Sequence, residues 1–241
     1  MSVEGALLFA RYAYPPNELG YCGPDGAEAL LRSEEPAEIA RRARHFQGAW
    51  SYLEFIAAAA GRTDPLDPAV VQAYWIGNDL LDKVDSRALV DRLCDRFTSQ
   101  LGGTWREAGG RATANHSFQV FEVYPWAALL GANTHPVAVS LLDRCRIRTG
   151  VVLDVGGESA TVRSHPLTWT GRALATGPAV DEVVTWSVRG RTLLAGLSPG
   201  DRVTLHWTWV CDVITEEQCD RIASLEARQL AALADLRIGA G

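Results

Sequence analysis

The chain has 241 residues, of which 47% are apolar, 22% charged and 8% aromatic. This composition is typical of a folded globular protein and excludes a disordered, collagenous or low-complexity chain. The formal net charge of -6 argues against a nucleic-acid or anionic-membrane surface, which needs clustered positive charge. No apolar run approaches the roughly 18–20 residues that span a bilayer, and the N-terminus lacks the basic flank of a signal peptide. We therefore predict a cytoplasmic protein without nucleic-acid or membrane partners.

The five cysteines are spread along the chain without a C-x-x-C pair: Cys22, Cys94, Cys145, Cys211 and Cys219. This odd count and wide spacing argue against a disulfide framework and against a zinc site made of four cysteines. A functional cysteine here is therefore expected to act as a thiolate. It would be a nucleophile, a redox centre or one ligand of a mixed metal site.

The first part of the chain has helical patterning. Prolines and glycines over 14–25 predict successive turns, in place of regular helix or central strand. Apolar residues three and four positions apart predict an amphipathic helix over 37–60. The segment 116–126 fits a strand and a helix equally well. Three further helices are predicted, with approximate bounds 68–84, 86–101 and 136–142.

After residue 146 the apolar period falls to two, which is typical of strands. A final helix is predicted over about 215–236, and Thr215 and Gln218 have the spacing of a capping box at its start. The fold class that follows is α+β, with a helical domain over 1–144 and a small β-barrel with a terminal helix over 145–241. β-branched runs between glycine-containing turns predict the strands: 149–155, 159–163, 183–188 and 202–209.

Two stretches of the second half stand out when they are read together. Cys145 leads directly into the first predicted strand, and a Gly-Asp turn at 200–201 precedes a strand that reaches His206. An acidic helix start follows at 216–217. In this order, over about residues 145–236, the sequence resembles the HypC/HupF family of small hydrogenase-assembly chaperones.

The resemblance implies an OB-like, HypC-like barrel and a role in nickel–iron hydrogenase maturation. Chaperones of this family carry an iron with carbonyl and cyanide ligands to the hydrogenase large subunit, and a cysteine and a histidine handle the metal. The matching residues here are Cys145 and His206. A thiolate is a natural donor to such soft iron, and an imidazole can bind it or orient its ligands. The implied partners are the large subunit or other maturation proteins, and the implied role is binding, not catalysis.

The chain also departs from the family pattern. The cysteine is internal, Thr149 replaces the usual proline, and 165–181 has the character of an insertion. Trp207 and Trp209 replace the small residues that usually follow the histidine. Because they alternate with Thr208, we expect both to share one strand face, as a partner-docking patch or as core. These departures suit a protein that holds or docks its cargo.

Other interpretations stay open. Taken singly, Cys145 and His206 also fit a buried, inert thiol and a hydrogen-bonded core histidine. Cys22 lies in the turn-rich segment, where it is expected to reach a partner or to fill a gap. With His116 and Glu122 it would form the nucleophile, base and carboxylate of a cysteine-dependent enzyme. A purely structural interaction protein is a third interpretation. The whole chain also resembles an uncharacterised bacterial family, described only as a domain of unknown function.

Overall fold

The computed structural model describes residues 2–97, 103–130 and 135–235 and has the predicted α+β class. Helices form the N-terminal part, strands follow, and a helix ends the described chain. The α-helices are α1 Val3–Glu18, α2 Pro36–Ala43, α3 Gln47–Ala59, α4 Pro68–Trp75, α5 Ser86–Arg96, α6 His116–Phe118, α7 His135–Cys145 and α8 Glu216–Asp235. The strands are β1 Arg148–Gly156, β2 Ser159–Ser164, β3 Leu167–Trp169, β4 Leu174–Thr176, β5 Val180–Thr185, β6 Arg202–His206 and β7 Trp209–Val213.

Helix α1 runs through Pro15 and Pro16, so the prediction of turns was wrong for the first part of 14–25. A proline inside a helix costs about 3 kcal/mol because it removes a hydrogen bond and crowds the preceding turn. Burial offsets that cost, since both prolines and the fully buried Phe9 and Tyr12 lie in the core that α1 shares with its neighbours. The turns begin only after the helix ends at Glu18.

The helices predicted over 37–60 and 68–84 are shorter than their patterns indicated, whereas the one predicted over 136–142 is longer, as α7. The helix over 37–60 is broken at 44–46 into α2 and α3, and the ring of Phe46 in this break packs edge-on against Phe9 at 5.3 Å. Helix α4 ends at Trp75, because Gly77 adopts a φ of 94° that a continuing helix excludes. The ambiguous segment 116–126 is helical, and α6 continues into a π-helical turn, Gln119–Val123. The end of the third predicted helix, at 98–101, lies outside the described residues.

The strand pairings form a ring in the order β1-β2-β5-β7-β6, with β6 pairing back onto β1. All the pairs are antiparallel except β5 with β7, which is parallel and joined at Thr185 and Trp209. The segment 165–181 contributes the separate hairpin of β3 and β4. The sheet therefore mixes both pairing types, and β1 and β6 lie side by side.

The single strand predicted over 202–209 is in fact a hairpin. Strand β6 ends at His206, the chain turns at Trp207 with a φ of 57°, and β7 begins at Trp209. Trp207 stacks on Tyr21 at 4.1 Å and is only 4% exposed, whereas Trp209 packs against Tyr14. The two tryptophans therefore do not share a strand face.

One core joins the helices to the sheet. The main buried cluster combines residues of α1, α3 and α4 with Ile147, Cys211, Ile214 and Ile222 from the second part of the chain. The predicted capping box of α8 is confirmed, since Gln218 N–H donates to Thr215 Oγ1 at 3.2 Å and Thr215 N–H to Gln218 Oε1 at 2.9 Å. The domain boundary at 144/145 stays a prediction. In the described ranges, no helix combines the length and apolar character needed to span a membrane.

The contact between α1 and the turn before α4 makes a specific prediction. A Cβ at Gly5 would lie 1.8 Å from the Leu66 carbonyl oxygen, which is a steric clash with the backbone. Gly5→Ala should therefore lower the free energy of unfolding by about 1–3 kcal/mol. Gly110→Ala is the matched control, because a Cβ there meets no atom within 4 Å. Urea denaturation of both variants tests this, and equal midpoints would contradict the packing described.

Candidate metal centre

Three side chains from different elements meet between the helices and the sheet. His116 begins α6, Cys145 ends α7 and His206 ends β6. One ligand atom from each lies within 4.8 Å of the ligand atoms of the other two. Both histidines are buried and Cys145 is half-buried. Cys145 and His206 therefore do lie together, and His116 joins them.

Main-chain hydrogen bonds and a cap position the three residues. Asn115 caps α6 by accepting from Ser117 N–H at 2.8 Å, and its side-chain amide donates to the carbonyls of Ala73 and Tyr74 at the end of α4. His116 is thereby tied to α4.

A main-chain hydrogen bond joins Arg144, which precedes Cys145, to Trp207, which follows His206. Trp207 N–H donates to the Arg144 carbonyl at 2.7 Å, which joins the end of β6 to the end of α7. His206 and Cys145 are the adjacent residues, so this bond holds their backbones together.

The hydrogen bonds determine which nitrogen of each imidazole carries the proton. A carbonyl only accepts, so His206 Nδ1, 2.7 Å from the Tyr12 carbonyl oxygen, is the protonated nitrogen. His206 Nε2 then carries a lone pair, and it is buried without a hydrogen-bond partner. His116 Nε2 donates in the same way to the Cys145 carbonyl at 2.8 Å, and its Nδ1 accepts from the Tyr74 hydroxyl at 3.2 Å. An imidazole whose second nitrogen donates to a carbonyl is typical of metal ligands, and His206 has its other nitrogen free for this role. His116 Nδ1 would have to exchange the Tyr74 hydroxyl for a metal ion.

The cluster lines a cavity of about 140 Å³. Trp75 lies against both imidazoles, with ring centroids 4.7 Å from His116 and 5.7 Å from His206. Cys22 lines the same cavity. Much of the remaining wall is aromatic: Tyr21, Phe46, Tyr74, Tyr124, Trp126 and Trp207. The three side chains therefore face a largely apolar space. A cation placed there would be poorly solvated unless these side chains bound it.

Burial keeps the metal-free cluster uncharged at neutral pH. It lowers the pKa of His116 to about 4 and the pKa of His206 well below its ordinary value. It also raises the pKa of the Cys145 thiol. A bound cation would stabilise the thiolate, so metal binding would release a proton from Cys145.

Of the three residues expected in a cysteine-dependent enzyme, Cys22 and His116 line the same cavity, whereas Glu122 is bonded elsewhere. Glu122 is fully buried, and its carboxylate accepts from Arg111 at 2.7 Å and Thr104 at 3.1 Å. Both nitrogens of His116 are paired with Tyr74 and the Cys145 carbonyl, so Glu122 does not orient this imidazole. His116 thus lies with the predicted metal residues, in a role that the sequence interpretation had not given it.

The comparisons with known proteins identify a family without a known function. Residues 1–238 match the model of DUF6390, described as a family of unknown function, and the chain belongs to this family. The expected resemblance to an uncharacterised family is thereby confirmed, and the match covers helices and sheet together. No curated protein and no solved structure matches the chain. The relationship to the HypC/HupF family stays a prediction.

The buried histidines predict how the stability of the metal-free protein depends on pH. Their folded-state pKa values lie below the unfolded value of about 6.5, so the unfolded chain binds more protons as the pH falls. The free energy of unfolding should therefore fall below pH 6.5, with a slope approaching about 1.4 kcal/mol per pH unit for each histidine. Chelator-treated protein denatured with urea between pH 7.5 and 4.5 gives this slope. His116→Gln should reduce it, and an unchanged slope would show that His116 is not held neutral.

The environment of Cys22 predicts low thiol reactivity. Burial raises its pKa to about 12, whereas an activated nucleophile needs a lowered pKa. At pH 7.5 we expect iodoacetamide to modify Cys22 more slowly than it modifies free glutathione, as followed by mass spectrometry of the Cys22 peptide. Modification faster than that of glutathione would revive the enzyme interpretation.

Proposed function

We propose that this protein binds a transition-metal ion at His116, Cys145 and His206 and presents it to a partner protein. The observation that carries the proposal is the Nε2 atom of His206, which is buried, lacks a hydrogen-bond partner and belongs to the cluster around the cavity. A buried polar atom without a partner costs about 1–3 kcal/mol. A metal ion would supply the missing interaction.

The donor set supports a borderline or soft metal. Two imidazoles and one thiolate suit zinc, copper or iron, whereas magnesium and calcium prefer oxygen ligands. Three protein ligands leave at least one coordination position for another donor. Such a site can hold a metal and still exchange it.

The cargo that we favour is iron, carried as an intermediate with cyanide and carbonyl ligands during nickel–iron hydrogenase maturation. The partner would be the hydrogenase large subunit or another maturation protein, and the role that of a cytoplasmic accessory protein that binds and does not catalyse. Support comes from the resemblance of the second half to HypC/HupF chaperones, whose metal-handling residues match Cys145 and His206. In that reading the ring of strands is a HypC-like barrel. The Cys145 sulfur and a His206 nitrogen lie within 4.8 Å of each other, which supports this proposal.

Metal retention by variants of the site tests the binding proposal. After anaerobic loading with Fe²⁺ or Zn²⁺ and desalting, we expect about one metal ion per chain by elemental analysis. Cys145→Ser and His206→Gln should each weaken binding by at least about tenfold, since even outer partners of a metal ligand contribute ten- to a hundredfold.

His165→Gln serves as the control, because His165 is exposed, bonds the Gly177 carbonyl and does not line the cavity. Near-ultraviolet circular dichroism would check that each variant is folded. Equal retention by the unmodified protein and both site variants would refute the metal site.

The hydrogenase assignment needs a separate experiment. Tagged protein purified anaerobically from its native host should carry the large subunit or a maturation factor, with infrared bands of iron-bound cyanide and carbonyl. Cys145→Ala should lose both the bands and the partner. If a metal binds but neither feature appears, the metal site stands and the hydrogenase assignment falls.

A further inference from the structure

A second thiol lies at the cavity that holds the proposed ligands. Cys22 belongs to the turns over 19–26 that follow α1, whereas the other three donors lie at the ends of α6, α7 and β6. It lines the same cavity, although its sulfur is not in the group of atoms that lie within 4.8 Å of one another. Cys22 is therefore a neighbour of the cluster from an independent segment.

The turn around Cys22 is held by specific contacts. The buried Asn17 donates its side-chain amide to the carbonyls of Cys22 and Pro24, both at 2.8 Å. Gly23 has a φ of 84°, and a Cβ there would lie 2.4 Å from the ring of Phe46, so only glycine fits. These contacts place the Cys22 side chain at the cavity.

Few other donors are available at this place. Among the described residues that line the cavity there is no Asp or Glu, and the remaining polar side chains are tyrosines, tryptophans and Gln47. Cys94, Cys211 and Cys219 do not line the cavity. A metal of the zinc or iron class prefers a thiolate to a phenol or an amide. Cys22 is therefore the strongest further donor within reach.

We propose that Cys22 is the fourth protein ligand, so that the occupied site has two cysteines and two histidines. This inference rests on the proposed function. The unpartnered Nε2 of the 1% exposed His206 independently indicates a ligand in the same cavity. Coordination moves the Cys22 sulfur toward the other three donors, and each thiol releases its proton to solvent as the cation binds. Because its sulfur lies outside the group formed by the other three donors in the metal-free protein, Cys22 is the ligand that a partner's thiolate would replace during transfer.

X-ray absorption of the unmodified protein loaded with Zn²⁺ tests the proposal without a substitution. Two sulfur neighbours at about 2.3 Å and two nitrogen neighbours at about 2.0–2.1 Å are expected. A single sulfur neighbour, with water or another light atom in the fourth position, would overturn the role of Cys22 and leave the three-ligand site intact.

Zinc competition with a chromogenic chelator provides the second measurement. Cys22→Ser should weaken Zn²⁺ binding by about ten- to a hundredfold or more while retaining one ion per chain, and Cys22→Ala should do the same. Cys94→Ser is the matched control, because Cys94 is likewise partly buried but lies outside the cavity. If both Cys22 variants bind as the unmodified protein does while Cys145→Ser fails, the inference falls and the proposed function stands. If the unmodified protein binds no better than Cys145→Ser, both fall.

Discussion

The hydrogen bond between the Tyr12 carbonyl and His206 Nδ1 is the interaction on which the candidate site depends. It spans the chain from α1 to the end of β6 and decides that the other nitrogen of the imidazole is the free one. Tyr12 is anchored in turn by its hydroxyl, which lies 3.0 Å from Thr204 Oγ1 on the same strand. Two contacts with β6 from one residue of α1 therefore fix both the position and the protonation of the central donor.

The surroundings of the site suit the proposed binding of a metal ion through nitrogen and sulfur. Neutral imidazoles and a neutral thiol can be buried in an aromatic cavity at moderate cost, whereas isolated ions cannot. Arg148, whose charge acts on His206, is paired with Glu182 at 2.6 Å through Nη2, and its Nη1 is buried without a hydrogen-bond partner; Arg111 is paired with Glu122. The cavity therefore contributes polarizable lone pairs without a fixed charge, which favours metals that bind nitrogen and sulfur over hard cations.

Local sequence signals predicted local structure well, and long-range packing accounts for the differences. The Thr215 cap needs only neighbours along the chain. The nearness of Cys145 and His206 was expected only from the family resemblance, and in the structure it accompanies the pairing of β1 with β6. The continuation of α1 through Pro15 and Pro16 depends on burial against distant helices, which a proline count does not reveal. The position of His116 depends on the hydrogen bonds from Asn115 to the carbonyls of Ala73 and Tyr74, which lie 42 and 41 residues away in the chain. No pattern near His116 in the sequence indicated these contacts. Trp207 was placed in a strand because alternation does not show a turn stabilised by stacking on Tyr21.

The main-chain bond from Trp207 to Arg144 has a consequence for how such a site can change over evolution. It links the residues that follow and precede the two donors, and it uses no side-chain atom of either. This main-chain link between positions 145 and 206 thus does not require a particular side chain at either position. Under the proposed function, exchanging a sulfur for a nitrogen or an oxygen at these positions would change which metal is preferred while this link stays in place.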